Sequence, residues 1–527
     1  MMWLILTAVV CIIIYYKISK TNPYWEDRGV PHQKPFSLIG SIGVLFSQKK
    51  SFFDYVCDLY NEFPKERYFG IYQSNKPALY IKDLNLIKRI GVKDFDHFPD
   101  HNSFAPLEID PDVTRNLFNL KGQRWREMRS TLSPSFTSSK MKVMFTLVSE
   151  CAEAVTTYFL KLPDVVHEVE MKDVCTRFTN DAIASIGFGF KCNSLENKEN
   201  DFYVNAKKVT EFKGWSFVLL IIQMMIPKFF RLFKLRVTPV ESSNFFRGII
   251  QDTIHKREKE GLVRHDMVHL LMEARKGKEI VDDHHLPDAG FATVDESKLV
   301  HTNKKPKLDI SDDDIAAQAL TFVFGGFDTS ASLASFIAYE LAVNSEIQEN
   351  LQNEIDDTLN DCDGKVTYEA LHHMKYLDMV VCETLRKWPS AFQNNRICGK
   401  DYVIEPEHPW EKRIVIEKDT TVLFPVVGIH RDPKYFPNPD VFDPERFSNE
   451  NKHNIVPNSY LPFGIGPRSC IASRFGLMEN KILIFHLLSK FDIVRTEKTP
   501  IPLRIATGTV NFNAEGGFWM GLKKRIN

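Results

Sequence analysis

The feature that most narrows the possible folds lies near the C-terminus, in the run Phe463-Gly464-Ile465-Gly466-Pro467-Arg468-Ser469-Cys470. Two glycines let a backbone turn approach a flat object closely, and Pro467 stiffens that turn. Helical sequence resumes near Ile471, so the positive end of a helix is aimed at the Cys470 sulfur and favours its thiolate. Arg468 adds a planar fork of donors suited to a carboxylate. A lone cysteine near a helix start is usually structural. Five specified positions in one string are on the order of a one-in-ten-thousand coincidence at ordinary residue frequencies.

The rest of the composition sets limits. Nine cysteines, an odd number with no close-spaced pair, exclude a disulfide scaffold or a zinc ribbon. His284-His285 and His372-His373 have no ligand-type spacing to a partner and read as solvated residues. A net charge of -1 gives no pull toward nucleic acid. The 40 phenylalanines fill a core and also suit an apolar pocket. With 527 residues and no dividing linker, one large domain is the expectation.

Met1 to Tyr16 carries no charge, and Lys17 and Lys20 follow at once. As a helix it spans roughly 24 Å, slightly short of the hydrocarbon core, and snorkelling of Lys17 can cover the gap. Trp3, Tyr15 and Tyr16 sit where interfacial aromatics belong. A basic n-region and a cleavage site are missing, so a retained anchor fits better than a cleaved signal. Positive charge after the apolar run keeps the body cytosolic. The expected boundaries are an anchor over 1–18, a proline-rich hinge over 19–36 and one domain over 37–527. Pro23, Pro31 and Pro35 predict an extended hinge rather than a helix.

Periodicity predicts a strand over 78–81 and helices over 83–90, 122–131, 138–162, 173–187 and 242–260. Trp215 to Ile226 is nearly all apolar, and Lys228 and Arg231 flank it. It fits either a buried helix or a patch dipping into a bilayer. The polar stretch 275–310 reads as a solvent-facing loop. Ser311-Asp312-Asp313-Asp314 then caps a long helix to about Asn344, followed by helices at 346–360, 367–388 and 471–490. From about 397 short strands alternate with Pro and Gly. The expected class is mainly α with small β-sheets.

Three further motifs precede the cysteine. Trp125-Arg-Glu-Met-Arg129 sets an indole and a guanidinium four residues apart on one helix face, most often a surface pair. Glu383-Thr-Leu-Arg386 sets opposite charges three apart, most often an exposed pair of a few tenths of a kcal/mol. Phe324-Gly325-Gly326-Phe327-Asp328-Thr329-Ser330 places two glycines inside the long helix, at about 1 kcal/mol each against Ala. That cost needs a reason.

Together, and in this order, the motifs resemble the cytochrome P450 family over about residues 30–527, closest in look to insect xenobiotic-detoxification members of the microsomal type. The resemblance extends to Leu132-Ser-Pro-Ser-Phe136, to Pro444-Glu-Arg-Phe447 and to the block from Cys470 to Glu479. It departs at Ala472, Ser390 and Gly325, where Gly, Pro and Ala are common. The resemblance implies haem b between the long helix and the cysteine loop, with Cys470 as axial ligand and with Phe463, Gly464, Gly325 and Ala472 against the macrocycle. It makes Trp125, Arg129, Arg396 and Arg468 propionate donors, and Glu383, Arg386 and Arg446 a buried structural triad. Gly325 and Gly326 would open the helix over the iron, and Asp328 with Thr329 would form an acid–alcohol pair that passes protons.

The implied activity is monooxygenation of lipophilic substrates such as plant toxins or insecticides, with dioxygen as co-substrate. A thiolate ligand favours O–O cleavage. No flavin or nicotinamide fingerprint is present, so electrons come from NADPH through cytochrome P450 reductase, with cytochrome b5 as a second candidate donor. Lys121, Arg124, Lys140 and Lys142 are the expected basic contacts for the reductase. The implied location is the endoplasmic reticulum membrane, cytosolic face. Competing readings are oxidation of an endogenous lipid, hormone or pheromone, a thiolate-haem isomerase or dehydratase, and a ligand-storing haem protein. The intact Asp328-Thr329 pair argues against the last two.

Overall fold

The computed structural model describes residues 22–34, 49–73, 76–102, 114–225, 227–236, 238–264, 266–276, 290–292 and 310–525. The expected anchor over 1–18 lies outside them. The expected extended hinge is corrected by a helical turn, α1 (Tyr24–Asp27), with Pro23 at its N-cap position. Proline is pre-shaped for a helix start. Trp25, 1% exposed, fixes the turn by donating its indole N–H to the Ile71 carbonyl at 3.0 Å. This stretch is therefore packed onto the first sheet.

Nine strands form three small sheets among the described residues. They are β1 (Tyr68–Gln73), β2 (Lys76–Ile81), β3 (Val166–Glu170), β4 (Asn394–Ile397), β5 (Tyr402–Ile404), β6 (Ile414–Ile416), β7 (Thr421–Phe424), β8 (Phe491–Val494) and β9 (Trp519–Lys524). The sheets run β1-β2-β7-β4, β3-β9-β8 and β5-β6. β4 pairs antiparallel with β7, with Arg396 opposite Val422, which holds Arg396 at a sheet edge.

The helices that position the site are α2 (Gly122–Leu132), α3 (Ser138–Lys161), α4 (Met171–Ile183), α5 (Asp201–Thr210), α6 (Trp215–Met225), α7 (Pro227–Phe233), α8 (Asp312–Val343), α9 (Tyr368–His373), α10 (Lys375–Lys387) and α11 (Ser473–Leu488). α8 is the axis of the fold. Its start is a capping box in which the Ser311 hydroxyl and the Asp314 carboxylate cap each other's backbone N–H. At 32 residues it runs roughly 48 Å. Its second half is fully buried at Ala331, Phe336, Ile337, Ala338 and Leu341, and Ser332, Ser335 and Glu340 are buried with them. That marks a core helix. α3 and α8 are long and apolar enough to cross a membrane by composition, yet most of α8 is buried in protein.

Two further expectations change. Residues 367–388 are not one helix but α9 and α10, split at Met374. The Glu354 carboxylate accepts from the Tyr376 and Leu377 N–H groups at 2.8 and 2.9 Å, so α10 has a cap of its own. Within the loop expected to face solvent, Gly290–Ala292 is docked. Ala292 is 6% exposed, and the Phe291 N–H donates to Asp378 at 3.1 Å. α6 and α7 divide the two readings of their sequence. Phe217 and Ile221 are buried, while Trp215, Leu232 and Phe233 are among the most exposed large apolar residues.

Candidate active site

Gly464 and Gly466 both take positive φ, +81° and +72°. At Gly466 an added Cβ would lie 1.8 Å from the Gly91 carbonyl oxygen, so the close approach there is to another backbone. At Gly464 the nearest such atom is 3.5 Å away, and only its φ demands glycine. The turn closes through Ser469 N–H to Gly466 O and Cys470 N–H to Phe463 O, both 2.9 Å. Ala472 occupies the N-cap position of α11.

Cys470 is exposed, and the seven other described cysteines are buried or half-buried. Burial pushes the thiols of Cys57, Cys151, Cys175 and Cys192 up to about 12 and that of Cys398 to about 11, which keeps them protonated. They are small core residues. Cys470 differs from them in standing exposed on a turn just before a helix.

α8 packs against α11, and the Ser330 hydroxyl lies near the fully buried Glu479 carboxyl at that crossing. On α8, Gly325 and Thr329 are exposed one turn apart. A Cβ at Gly325 would meet nothing within 4 Å, whereas one at Gly326 would lie 3.0 Å from Ile183 Cδ1. The two glycines therefore do different things. Gly325 leaves a face of the helix open, and Gly326 lets α4 pack close, which corrects the expectation that both open it.

Three arginines converge on the cysteine loop. Arg129 donates to the Ser469 carbonyl at 2.8 Å, and Arg396 donates to the Ile465 carbonyl at 2.9 Å. Arg468 donates to the carbonyls of Pro99 and Leu120 and to Asp100 Oδ1 at 2.7, 2.8 and 2.9 Å. Its guanidinium also lies 4.0 Å from the Trp125 ring centre. Burial lowers Arg396 to about 10, and no carboxylate offsets it. Burial lowers Arg468 to about 9 despite Asp100, with Arg396 and Arg129 adding repulsion. Burial, then Arg396 and Arg468, holds His101 well below its ordinary value and so neutral. Buried cations in excess over carboxylates need an anion to share.

Behind the loop, Glu383 and Arg386 are fully buried and form a two-pronged pair at 2.7 and 2.8 Å. Arg446 adds a contact to Glu383 Oε1 at 3.4 Å, and the Asp443 N–H donates to the same oxygen at 3.0 Å. Arg386 also donates to the His430 carbonyl at 3.0 Å. The cluster pins the segment leading to Cys470.

The acid–alcohol pair differs from expectation. Thr329 donates back to the Gly325 carbonyl, while Asp328 turns to the other side of α8. There Lys172 of α4 pairs with its Oδ1 at 2.9 Å and Asn511 donates to its Oδ2 at 3.1 Å. No hydrogen bond joins Asp328 to Thr329. Sequence pattern did not point to Lys172, Asn511, Asp100 or His101, since these partners lie between 156 and 368 positions away. Of the four basic residues expected to meet a reductase, Arg124 pairs with Asp314 at 3.0 Å and Lys142 pairs with Glu369.

The model of the Cytochrome P450 family matches residues 30–515. The chain belongs to the cytochrome P450 family. It is 40% identical to Cytochrome P450 9e2 of Blattella germanica, over 100% of this chain and 98% of that one. It is 39% identical to Probable cytochrome P450 9f2 of Drosophila melanogaster, over 99% and 98%. Cytochrome P450 6a2 of Drosophila melanogaster is 35% identical over 97% of each chain. This cytochrome P450 is a monooxygenase whose cofactor is haem with a cysteine thiolate as axial ligand. The site fits that group. An exposed cysteine on a rigid turn, an open glycine face and a surplus of buried guanidinium charge suit a flat dianion with a metal at its centre.

Proposed function

We propose that this cytochrome P450 oxidises lipophilic foreign compounds such as plant toxins or insecticides, with NADPH electrons delivered by a membrane-bound reductase. Cys470 would supply the thiolate, with Trp125, Arg129, Arg396 and Arg468 toward the propionates. Phe463, Gly464 and Ala472 would pack on one face and Gly325 on the other. Bound haem supplies the redox chemistry that splits dioxygen and places one atom in the substrate. The chain's own contribution is fourfold. The α11 N-terminus stabilises negative charge at sulfur. The arginine cluster fixes orientation. The Glu383-Arg386-Arg446 cluster holds the loop rigid. Asp328 takes protons from solvent, and the Thr329 hydroxyl presents one on the Gly325 face.

The observation that carries the reading is Cys470, the exposed one among the described cysteines, on a loop clasped by Arg129 and Arg396. The resemblance of its motifs to insect detoxification members supports the substrate class. The apolar Trp215, Leu232 and Phe233 beside Lys228 and Arg231 support membrane contact near a route for greasy substrates. This contact joins the N-terminal anchor at the endoplasmic reticulum, with cytochrome b5 as a second electron donor. Full-length protein reconstituted with reductase and NADPH is tested on insecticides, plant toxins, fatty acids and steroids. NADPH-dependent loss of the first two classes is expected, and exclusive turnover of an endogenous lipid would refute the substrate class.

A further inference from the structure

Asp328 is held from two sides, and one of its holders has a second attachment. The Asn511 side-chain amide donates to Asp328 Oδ2 at 3.1 Å and to the Thr210 carbonyl at 2.9 Å. Its Oδ1 accepts from the Phe212 N–H at 2.9 Å. Thr509 closes the same joint by donating its hydroxyl to the Phe212 carbonyl at 3.1 Å and accepting from the Asn511 N–H at 3.0 Å. A single bridge, Lys213 to Thr509, continues the contact. One side chain thus joins the acid on α8 to the C-terminal end of α5. The segment it grips leads directly into α6 and α7, whose outer face carries exposed Trp215, Leu232 and Phe233.

Asp328 also borders a polar cavity of about 240 Å³ lined by Lys172, Asp173, Tyr203, Thr210 and Asn513. The Asn513 side-chain oxygen is buried with no hydrogen-bond partner. A cavity this size, lined with polar groups, holds several waters and can relay protons to the carboxyl. Lys172 fixes Oδ1 from a core helix. Asn511 fixes Oδ2 from a joint between two surface segments. The second hold is the one that a change at 210–213 reaches.

We infer that Asn511 is a positioning residue that makes the placement of the Asp328 carboxyl depend on how the end of α5 is docked. When residues 210–213 are seated, both carboxyl oxygens are fixed and the acid faces its water supply. When they lift to admit substrate, Asn511 loses its bonds to Thr210 and Phe212 and is no longer fixed in place, so it can release Oδ2 and let the carboxyl turn toward Thr329. The inference rests on the proposal that Asp328 carries protons.

Linkage makes the test reciprocal, because a tie that lets 210–213 bias Asp328 must let Asp328 bias 210–213. In the full-length holoenzyme, hydrogen exchange at the Phe212 amide is measured in D328A. Among the described residues no hydrogen bond joins Asp328 to Thr210 or Phe212, yet exchange should rise at least severalfold. Unchanged exchange overturns the tie. In parallel, product formed per NADPH oxidised is followed across pH with reductase present. N511A should lower that ratio severalfold. N511D keeps size and the acceptor for Phe212 but sets a second carboxylate against Asp328, so its profile should move to higher pH. Loss of shape alone would not move the profile. D328N reports on the underlying reading. If D328N leaves the ratio unchanged, proton carriage by Asp328 fails and the inference with it. If D328N lowers the ratio while N511A and N511D match the parent, Asn511 alone is overturned.

Discussion

Replacing Gly466 by Ala tests the geometry of the cysteine loop. The added Cβ would lie 1.8 Å from the Gly91 carbonyl oxygen. Carbon–oxygen contacts settle at about 3.3 Å or more, so the two backbones must part by about 1.5 Å. Neither side can yield by a rotamer change. Gly91 sits in the helical turn Arg89–Lys93, and a Cβ there would itself lie 2.7 Å from Ile465. Positive φ adds about 1–2 kcal/mol for a residue with a side chain, and overpacking adds about 1–3 kcal/mol, so G466A should cost about 2–5 kcal/mol. The displacement passes to the sulfur through the Gly466–Ser469 and Phe463–Cys470 hydrogen bonds. G464A is the control. Its φ is +81° and its nearest neighbour is at 3.5 Å, so only the 1–2 kcal/mol of backbone strain applies. The assay is haem per protein after purification, then the rate of haem transfer to excess apo-globin. G466A should lose most of its haem and release the rest at least tenfold faster than G464A. Equal retention by the two variants would refute the backbone-to-backbone argument.

The remaining predictions concern buried charge. Glu383→Gln leaves Arg386 buried without a counter-charge and should cost about 3–5 kcal/mol, seen as a collapse in haem-loaded yield. A yield within twofold of the parent would contradict that role. Glu479 is fully buried, and burial raises its carboxyl to about 8, partly offset by Ser330. The folded protein then holds a proton that the unfolded chain releases near its ordinary value of 4.5, so this group costs stability as pH rises from about 4.5 to 8. Glu479→Gln should match the parent at pH 5 and exceed it by about 2–3 kcal/mol at pH 7 in urea unfolding. An equal gain at both pH values would contradict the assignment.

What could be read from the chain follows from the range of each interaction. The cysteine turn, the Ser311 cap and the Glu383-Arg386 pair are written within a few residues, and each stands where its pattern puts it. Charge excess around the loop was partly legible, because Arg129 and Arg468 sit in recognisable strings. Asp100 and His101 follow no period, and only the packing of their loop against β4 brings them to Arg468 and Arg396. Asp328 shows the limit most plainly. Adjacency to Thr329 suggested a pair, but neighbours in a helix diverge by about 100°, and partners from α4 and the C-terminal segment took its carboxylate. Pro23 misled in the other direction. A proline that breaks a helix interior also starts one, and the burial of Trp25 decided between them.

The central claim is that Cys470 thiolate holds the haem, and the carbon monoxide difference spectrum of the reduced protein tests it most directly. The intact protein should show the red-shifted Soret band of thiolate ligation, and Cys470→Ser should lose it while Cys398→Ser keeps it. Absence of that band from intact, haem-loaded protein, or its survival in Cys470→Ser, would contradict the account.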